Sequence, residues 1–99
     1  MTITQIQDSL IPYFRQKPVV RAWLFGSHVD GTARINSDVD ILVELDYEKH
    51  LGLGFISMWL EIKELLGQDV DLITTRGISP LVAAYIESKK KLIYERQAG

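Results

Sequence analysis

No cysteine occurs among the 99 residues, and this absence excludes several kinds of site at once. A chain without thiols has no disulfide framework, no thiolate nucleophile and no cysteine-based zinc site. Long apolar runs are missing too, because the longest span a few residues, well short of the ~20 that cross a bilayer. The first ten residues lack a basic segment followed by an apolar one. We therefore expect no signal peptide, no membrane segment and a cytoplasmic setting.

An excess of charge of one sign is also absent, since the formal net charge is −2. The basic residues are dispersed except for Lys89, Lys90 and Lys91. This balance gives no reason to expect tight binding to duplex nucleic acid. We interpret the lysine run as the solvated end of a helix, where cations suit the helix dipole, with a phosphate-binding or nucleic-acid role as the alternative.

What the chain does contain is 46% hydrophobic residues, which is enough for one compact core. We therefore expect a single domain over residues 1–99. A domain of this size buries a smaller fraction of its surface than a large one. Little surface is then left for enclosing two substrates.

Apolar periodicity and turn residues divide the chain into alternating helices and strands, which indicates an α+β fold. Helices are predicted over residues 4–16, 52–66 and 80–89, and strands over residues 19–25, 38–46 and 69–74. The segment 26–37, which includes Asn36, is predicted to be a loop with one helical turn near Ser27. Residues 92–95 either extend the last helix or add an edge strand.

The helix predicted over residues 52–66 has one apolar stripe and two apolar residues outside it. The stripe consists of Phe55, Trp59, Ile62 and Leu66, and Gly67 ends the helix. Ile56 and Leu60 lie off this line. They either pack under the first or last helix or form a patch that faces a partner.

Three aspartates fall on two of the predicted strands. Asp38 and Asp40 share one face of a strand, about 7 Å apart, and Asp71 lies on the last predicted strand. Carboxylates pressed together raise one another's pKa and destabilise a fold unless cations neutralise them. Oxygen ligands without cysteine or histidine favour Mg²⁺ or Mn²⁺, and two such ions about 3.5 to 4 Å apart can clamp a phosphoryl displacement. The pattern predicts a two-metal site, with Glu44 and Asp69 expected to be solvated or ion-paired.

Gly26 and Ser27 directly follow the first predicted strand. The missing Cβ of Gly26 lets a ligand approach the backbone, and the following amides and the Ser27 hydroxyl can donate to phosphate oxygens. The Gly-x-x-x-x-Gly-Lys pattern of a Walker loop is absent. These residues therefore predict a phosphate-binding turn of another kind.

Together these motifs resemble the minimal nucleotidyltransferases of the DNA polymerase β superfamily. Gly26-Ser27, ten further residues and Asp38-Val39-Asp40 match the family's Gly-Ser-x10-Asp-x-Asp signature. Asp69-Val70-Asp71 and Leu92-Ile93-Tyr94-Glu95 follow in the family's order, so the resemblance runs from residue 19 nearly to the end. It implies a nucleotidyltransferase fold, in which a small mixed β-sheet is covered by helices.

The resemblance also implies an activity and a role for each motif. Asp38 and Asp40 would ligate two Mg²⁺ ions, Asp71 would ligate the catalytic ion beside the attacking hydroxyl, and Gly26 and Ser27 would contact the triphosphate of ATP. The implied reaction is adenylylation of a tyrosine on a helical protein of the HEPN class. This chain would then be the antitoxin of a toxin–antitoxin pair.

One departure from the family's pattern concerns charge in the loop. Many members read Gly-Ser-Arg-Ala-Arg-Gly, whereas this chain has His28, Val29 and Asp30 after Ser27. Two cationic phosphate contacts are missing, and Asp30 would repel a triphosphate, although His28 can donate one hydrogen bond and Arg34 lies in the same loop. We expect weaker nucleotide binding as a result.

Two rival interpretations stay open at this stage. The chain could be a binding module that neutralises a toxin by contact and transfers nothing. It could also modify a small aminoglycoside-like molecule, although no extra domain is present to form a sugar pocket. A nucleic-acid acceptor has no motif in its favour, and no residue is assigned to recognition of the nucleobase.

Overall fold

The computed structural model describes residues 1–34, 37–46 and 53–97. The elements follow in the order α1 (Ile3–Phe14), β1 (Val19–Phe25), α2 (Ser27–Asp30), β2 (Val39–Leu45), α3 (Gly54–Leu66), β3 (Val70–Thr74), a 3₁₀ turn (Thr75–Gly77), α4 (Pro80–Lys89) and β4 (Lys91–Glu95). Each predicted helix and strand is present, with ends that agree or differ by at most two residues. The predictions for Asn36 in the loop and for Gly52 at the start of a helix lie outside the described residues.

The four strands form one mixed sheet in the order β3-β2-β1-β4. β1 runs antiparallel to both β2 and β4, and β2 runs parallel to β3. The expectation of a small mixed sheet covered by helices is confirmed. Of the two alternatives for the C-terminal segment, the edge strand is the one observed, because β4 pairs with β1.

The larger core lies between one face of the sheet and helices α1 and α3. Thr2 caps α1 by accepting from the backbone N–H of Gln5, and the Gln5 side chain accepts from the Thr2 backbone in return. Buried residues of this core include Ile6, Leu10 and Phe14 of α1, Leu24 of β1, Ile41 and Val43 of β2, and Ile62 of α3. The alternation predicted for β2 is therefore correct, with Ile41 and Val43 on the buried side.

A smaller apolar cluster lies on the opposite face of the sheet, under α4. Phe25, Leu42 and Ile86 are buried there. Ser79 caps α4 by accepting from the backbone N–H of Val82, and Pro80 occupies the first turn, as the sequence predicts. Because α4 covers this face only in part, it leaves one end of the sheet open.

The buried side of α3 differs from the predicted stripe. Met58 is buried together with Ile62 and Leu66, whereas Phe55 and Trp59 are only partly buried. Trp59 lies at the rim because its Nε1 donates to the carbonyl oxygen of Val70 at 2.7 Å, and a buried indole N–H needs such a partner.

The two apolar residues off the stripe are not packed under another helix. Ile56 and Leu60 are each 51% exposed. The alternative in which the first or last helix covers them is therefore not observed. No helix in the described parts of the chain has the length and hydrophobicity needed to cross a membrane.

Ile62→Ala should destabilise the fold by about 2 to 5 kcal/mol, because it leaves a cavity in the larger core. The matched control is Ile56→Ala on the same helix, which should cost less than about 1 kcal/mol because this side chain is half exposed. Urea unfolding followed by circular dichroism measures both. Equal losses in the two variants would contradict the packing of α3 described above.

Candidate active site

Three strands bring the predicted site residues to one end of the sheet. Phe25, the last residue of β1, pairs with Asp40 near the start of β2. Asp40 in turn pairs with Asp71 on the parallel strand β3. Neighbouring strands lie about 4.8 Å apart, so the end of β1 and both aspartates are next to one another. This is the sheet face that α4 covers only in part.

Gly26 and the Asp40 carboxylate occupy adjoining space. Gly26 has φ 74° and ψ −151°, a backbone conformation that favours glycine. A Cβ built at Gly26 would overlap the Oδ2 of Asp40 and lie 3.0 Å from its Cγ. Sequence reasoning assigned Gly26 to the approach of a ligand and missed this contact with a side chain of the same site.

The three carboxylates interact electrostatically. Burial raises the pKa of Asp40 to about 6, and the charges of Asp71 and then Asp38 add to the increase. Asp38 lies directly before β2, where the backbone N–H of Val39 donates to the carbonyl oxygen of Asp69 at 3.0 Å. Asp38 and Asp71 are exposed, whereas Asp40 is half-buried. The structure therefore places together the three acids predicted from the sequence.

These carboxylates suit a hard divalent cation by donor type. Oxygen ligands are those that Mg²⁺ and Mn²⁺ prefer, and the mutual repulsion acting on Asp40 is what a cation would remove. Within residues 1–34, 37–46 and 53–97, no three acidic or histidine side chains already form a ligand cluster. Asp38 and Asp71 are exposed, so their side chains have room to change rotamer.

Ser27 begins the short helix α2 immediately after Gly26. Its carbonyl oxygen accepts from the backbone N–H groups of Thr32 and Ala33, each at 3.1 Å, which holds the following loop compact. The first N–H groups of a helix have no partner within the helix and can donate to a phosphate. The hydroxyl of Ser27 and these N–H groups lie at the same end of the sheet as Asp40.

Asp30 keeps the negative charge that the sequence places in this loop. Asp30 accepts from the Thr32 hydroxyl at 2.6 Å and from its backbone N–H at 3.0 Å, and these bonds lower the pKa of Asp30. Its carboxylate is therefore held within the loop. The backbone N–H of Arg34 donates to the Ser37 hydroxyl at 2.7 Å.

His28 does not replace the arginines of related loops. Burial lowers the pKa of His28, the amino group at the N-terminus lowers it further, and a contact with the Asp38 backbone acts in the opposite direction. Its Nδ1 atom is buried and has no hydrogen-bond partner among the described residues. His28 is thus neutral at pH 7 and packs α2 against the start of β2.

Two other acidic residues near the site, Asp69 and Glu44, form ion pairs with basic residues. Asp69 lies 3.7 Å from the Nζ of Lys63, and Glu44 lies 2.7 Å from a guanidinium nitrogen of Arg21. The expectation that both are solvated or ion-paired is confirmed. Asp69 is therefore a suitable control for the acids of the site.

Residues 8–98 match the family model described as polymerase β nucleotidyltransferase. A sequence of Methanocaldococcus jannaschii, provisionally named a protein adenylyltransferase, is 38% identical over 82 residues, which cover 83% of this chain and 87% of that protein. The protein adenylyltransferase MntA of Thermococcus cleftensis is 34% identical over 87 residues, which cover 84% of this chain and 87% of the relative.

Solved structures share the fold. A crystal structure of a toxin–antitoxin with AMP-PNP contains a chain with a TM-score of 0.77 and 25% identity, covering 92% of this chain and 74% of that chain. A tri-AMPylated Shewanella oneidensis HEPN toxin in complex with an MNT antitoxin gives a TM-score of 0.71 over 94% of this chain and 72% of the matched chain. At 19% identity, that second likeness concerns the fold alone.

Asp40→Asn should stabilise the metal-free protein at neutral pH. The pKa of Asp40 is raised from 3.8 to about 6 in the folded chain, so ionisation of Asp40 opposes folding as the pH rises through this range. The variant should therefore be more stable than the parent at about pH 7.5, and the difference should vanish near pH 4. Urea unfolding in the presence of a chelator tests this. A difference in stability that stays constant between about pH 4 and pH 7.5 would contradict this prediction.

Gly26→Ala should reduce both stability and nucleotide binding, because the new Cβ overlaps Asp40. Gly67→Ala is the matched control: Gly67 also has a positive φ, of 65°, but nothing lies within 4 Å of an added Cβ. Gly67→Ala bears the left-handed backbone cost of about 1 to 2 kcal/mol, and Gly26→Ala bears a larger backbone cost because φ 74° with ψ −151° is open almost only to glycine. Only Gly26→Ala should lose more than this and bind ATP with Mg²⁺ more weakly in calorimetry. Equal losses of stability and of ATP affinity in the two variants would show that the contact with Asp40 has no role.

Proposed function

This chain belongs to the polymerase β nucleotidyltransferase family, and from that premise we propose that it transfers an adenylyl group from ATP to a hydroxyl group of a partner protein. The observation that carries the proposal is the grouping at one end of the sheet. There the Asp40 carboxylate lies between Gly26 and the acids Asp38 and Asp71, beside the turn that begins at Ser27.

In the proposed reaction the acceptor oxygen forms a bond to the α-phosphorus of ATP. The bond from that phosphorus to the bridging oxygen of pyrophosphate breaks, so pyrophosphate leaves. The Ser27 hydroxyl and the backbone N–H groups of Ser27 and His28 bind the triphosphate and stabilise the charge that develops on it. The other two N–H groups of α2 already donate to the Gly26 carbonyl oxygen. Asp71, the exposed acid of β3, assists loss of the proton from the attacking hydroxyl.

Asp38 and Asp40 would hold two Mg²⁺ ions, or Mn²⁺ ions, and Asp71 would share the one nearer the acceptor. When bound, such ions supply positive charge opposite the phosphate oxygens. The repulsion among these carboxylates supports the assignment, because a cation bound there relieves it.

We propose a helical HEPN-type protein as the acceptor, with this chain as its antitoxin in the cytoplasm. Similarity to the adenylyltransferase MntA, and to a chain of a toxin–antitoxin structure with AMP-PNP, supports this choice. The site itself supports a protein acceptor, since Asp38 and Asp71 are exposed and open to the surface of another molecule.

The rival functions make different predictions. A binding module would neutralise the toxin without changing its mass. A small-molecule nucleotidyltransferase would label an aminoglycoside-like compound without a protein partner. Ile56 and Leu60 on α3 are exposed and available to a protein partner, whether the chain modifies that partner or only binds it.

The test is to incubate the purified chain with ATP, Mg²⁺ and the HEPN-type product of the adjacent reading frame, and to follow the partner by mass spectrometry. We expect an added adenylyl group on a tyrosine of the partner. Asp71→Asn should slow this transfer by about 100-fold or more, since it removes a charge used in the transition state.

Asp69→Asn is the matched control, because Asp69 is an exposed acid two residues away that pairs with Lys63 outside the carboxylate group. It should retain the parent's activity. Neutralisation of the partner without a change in its mass would establish the binding module instead, and efficient labelling of an aminoglycoside by the chain alone would reject a protein acceptor.

A further inference from the structure

The last residue of α4, Lys89, lies at the open end of the sheet. β4 begins at Lys91 and runs antiparallel to β1, with Lys91 opposite Leu24. Leu24 is two residues before Gly26. The C-terminus of α4 is therefore brought to the end of β1 at which the phosphate-binding turn begins.

Helix α4 approaches this end over the face that holds the acids. Ile86 of α4 is buried against Phe25 and Leu42, and Phe25 is the pairing partner of Asp40. Residues three apart on a helix lie on the same side, one turn along. Lys89 thus follows Ile86 on the sheet-facing side and lies one turn closer to Gly26.

The positive charge of Lys89 acts on the loop that follows β1. It contributes to lowering the pKa of Asp30, the last residue of α2, after the hydrogen bonds from Thr32. Lys89 is exposed and makes no salt bridge within 4 Å in the described part of the chain. Its ammonium group is therefore available to a ligand of that loop.

The other two lysines of the run are placed differently. The Nζ of Lys90 lies 4.3 Å from the centre of the Trp23 ring and 2.9 Å from a carboxylate oxygen of Glu87. Lys91 is paired with Leu24, whose side chain belongs to the larger core on the opposite face of the sheet. Paired residues of neighbouring strands point to the same face, so Lys91 lies on the side away from the acids.

We propose that Lys89 binds the triphosphate of the donor nucleotide and supplies, from α4, a positive charge in place of the arginines that are absent from positions 28 and 30. The proposal rests on the proposed function in taking ATP as the donor at this site. His28 and Asp30 stand at the two positions where many related loops have arginine, so neither position offers a guanidinium group to the phosphates. A lysine beside the loop supplies a point charge suited to phosphate oxygens.

The experiment measures the affinity of the full chain for AMP-PNP and for AMP, each with Mg²⁺, by calorimetry. Lys89→Gln should weaken AMP-PNP binding by about 10-fold, the effect of one charged hydrogen bond, and should leave AMP binding nearly unchanged. Lys89→Arg should retain most of the affinity, because it keeps the charge. The matched control is Lys91→Gln, which makes the same change of charge two residues away and should bind as the parent does.

A Lys89→Gln variant that binds AMP-PNP like the parent, or that weakens AMP and AMP-PNP equally, would overturn the proposal. Equal losses of AMP-PNP affinity in Lys89→Gln and Lys91→Gln would also overturn it. They would indicate a nonspecific effect of positive charge rather than a contact of Lys89 with the phosphates. If the parent binds AMP-PNP through Lys89 but transfers nothing to a partner, the proposed function fails and this inference stands. If the parent transfers an adenylyl group and Lys89→Gln keeps the same KM for ATP, the inference alone fails.

Discussion

The contact between the Asp40 carboxylate and the backbone of Gly26 is the constraint on which the site depends. It holds the Asp40 carboxylate against the turn that follows β1. A carboxylate suited to a cation therefore lies directly beside backbone suited to a phosphate. No side chain larger than hydrogen fits between them. The antiparallel pairing of β1 with β2 maintains this contact, because Phe25 and Asp40 are partners in the register.

The remainder of the fold stabilises an arrangement that is unfavourable by itself. Three carboxylates face one another at the end of the sheet, and the burial of Asp40 makes its ionisation harder. The cost is offset by the core on the other face of the same strands, where Ile41 and Val43 are fully buried. Proteins commonly bear such local strain at sites that bind ligands, because the ligand removes it.

Local patterns were sufficient to predict the elements and the grouping of Asp38, Asp40 and Asp71 at one end of the sheet. The alternation in β2, the glycine that ends α3 and the Ser79-Pro80 cap are features of short segments, and each has the structure that its pattern predicts. The burial of Met58 in place of Trp59 could not be predicted, since it follows from a hydrogen bond to β3. The same holds for the buried Nδ1 atom of His28 and for the position of Lys89, because both depend on how distant elements pack.

The parallel pairing of β2 with β3 has a consequence for the order in which the molecule is assembled. Asp40 and Asp71 are separated by the whole of α3, so their pairing is a long-range contact that forms only after the intervening chain has been made. During synthesis on the ribosome, Gly26, Asp38 and Asp40 emerge first, whereas Asp71 and Lys89 lie in the last third of the chain. A nascent chain that has not yet reached β3 therefore lacks the strand that brings Asp71 beside Asp40.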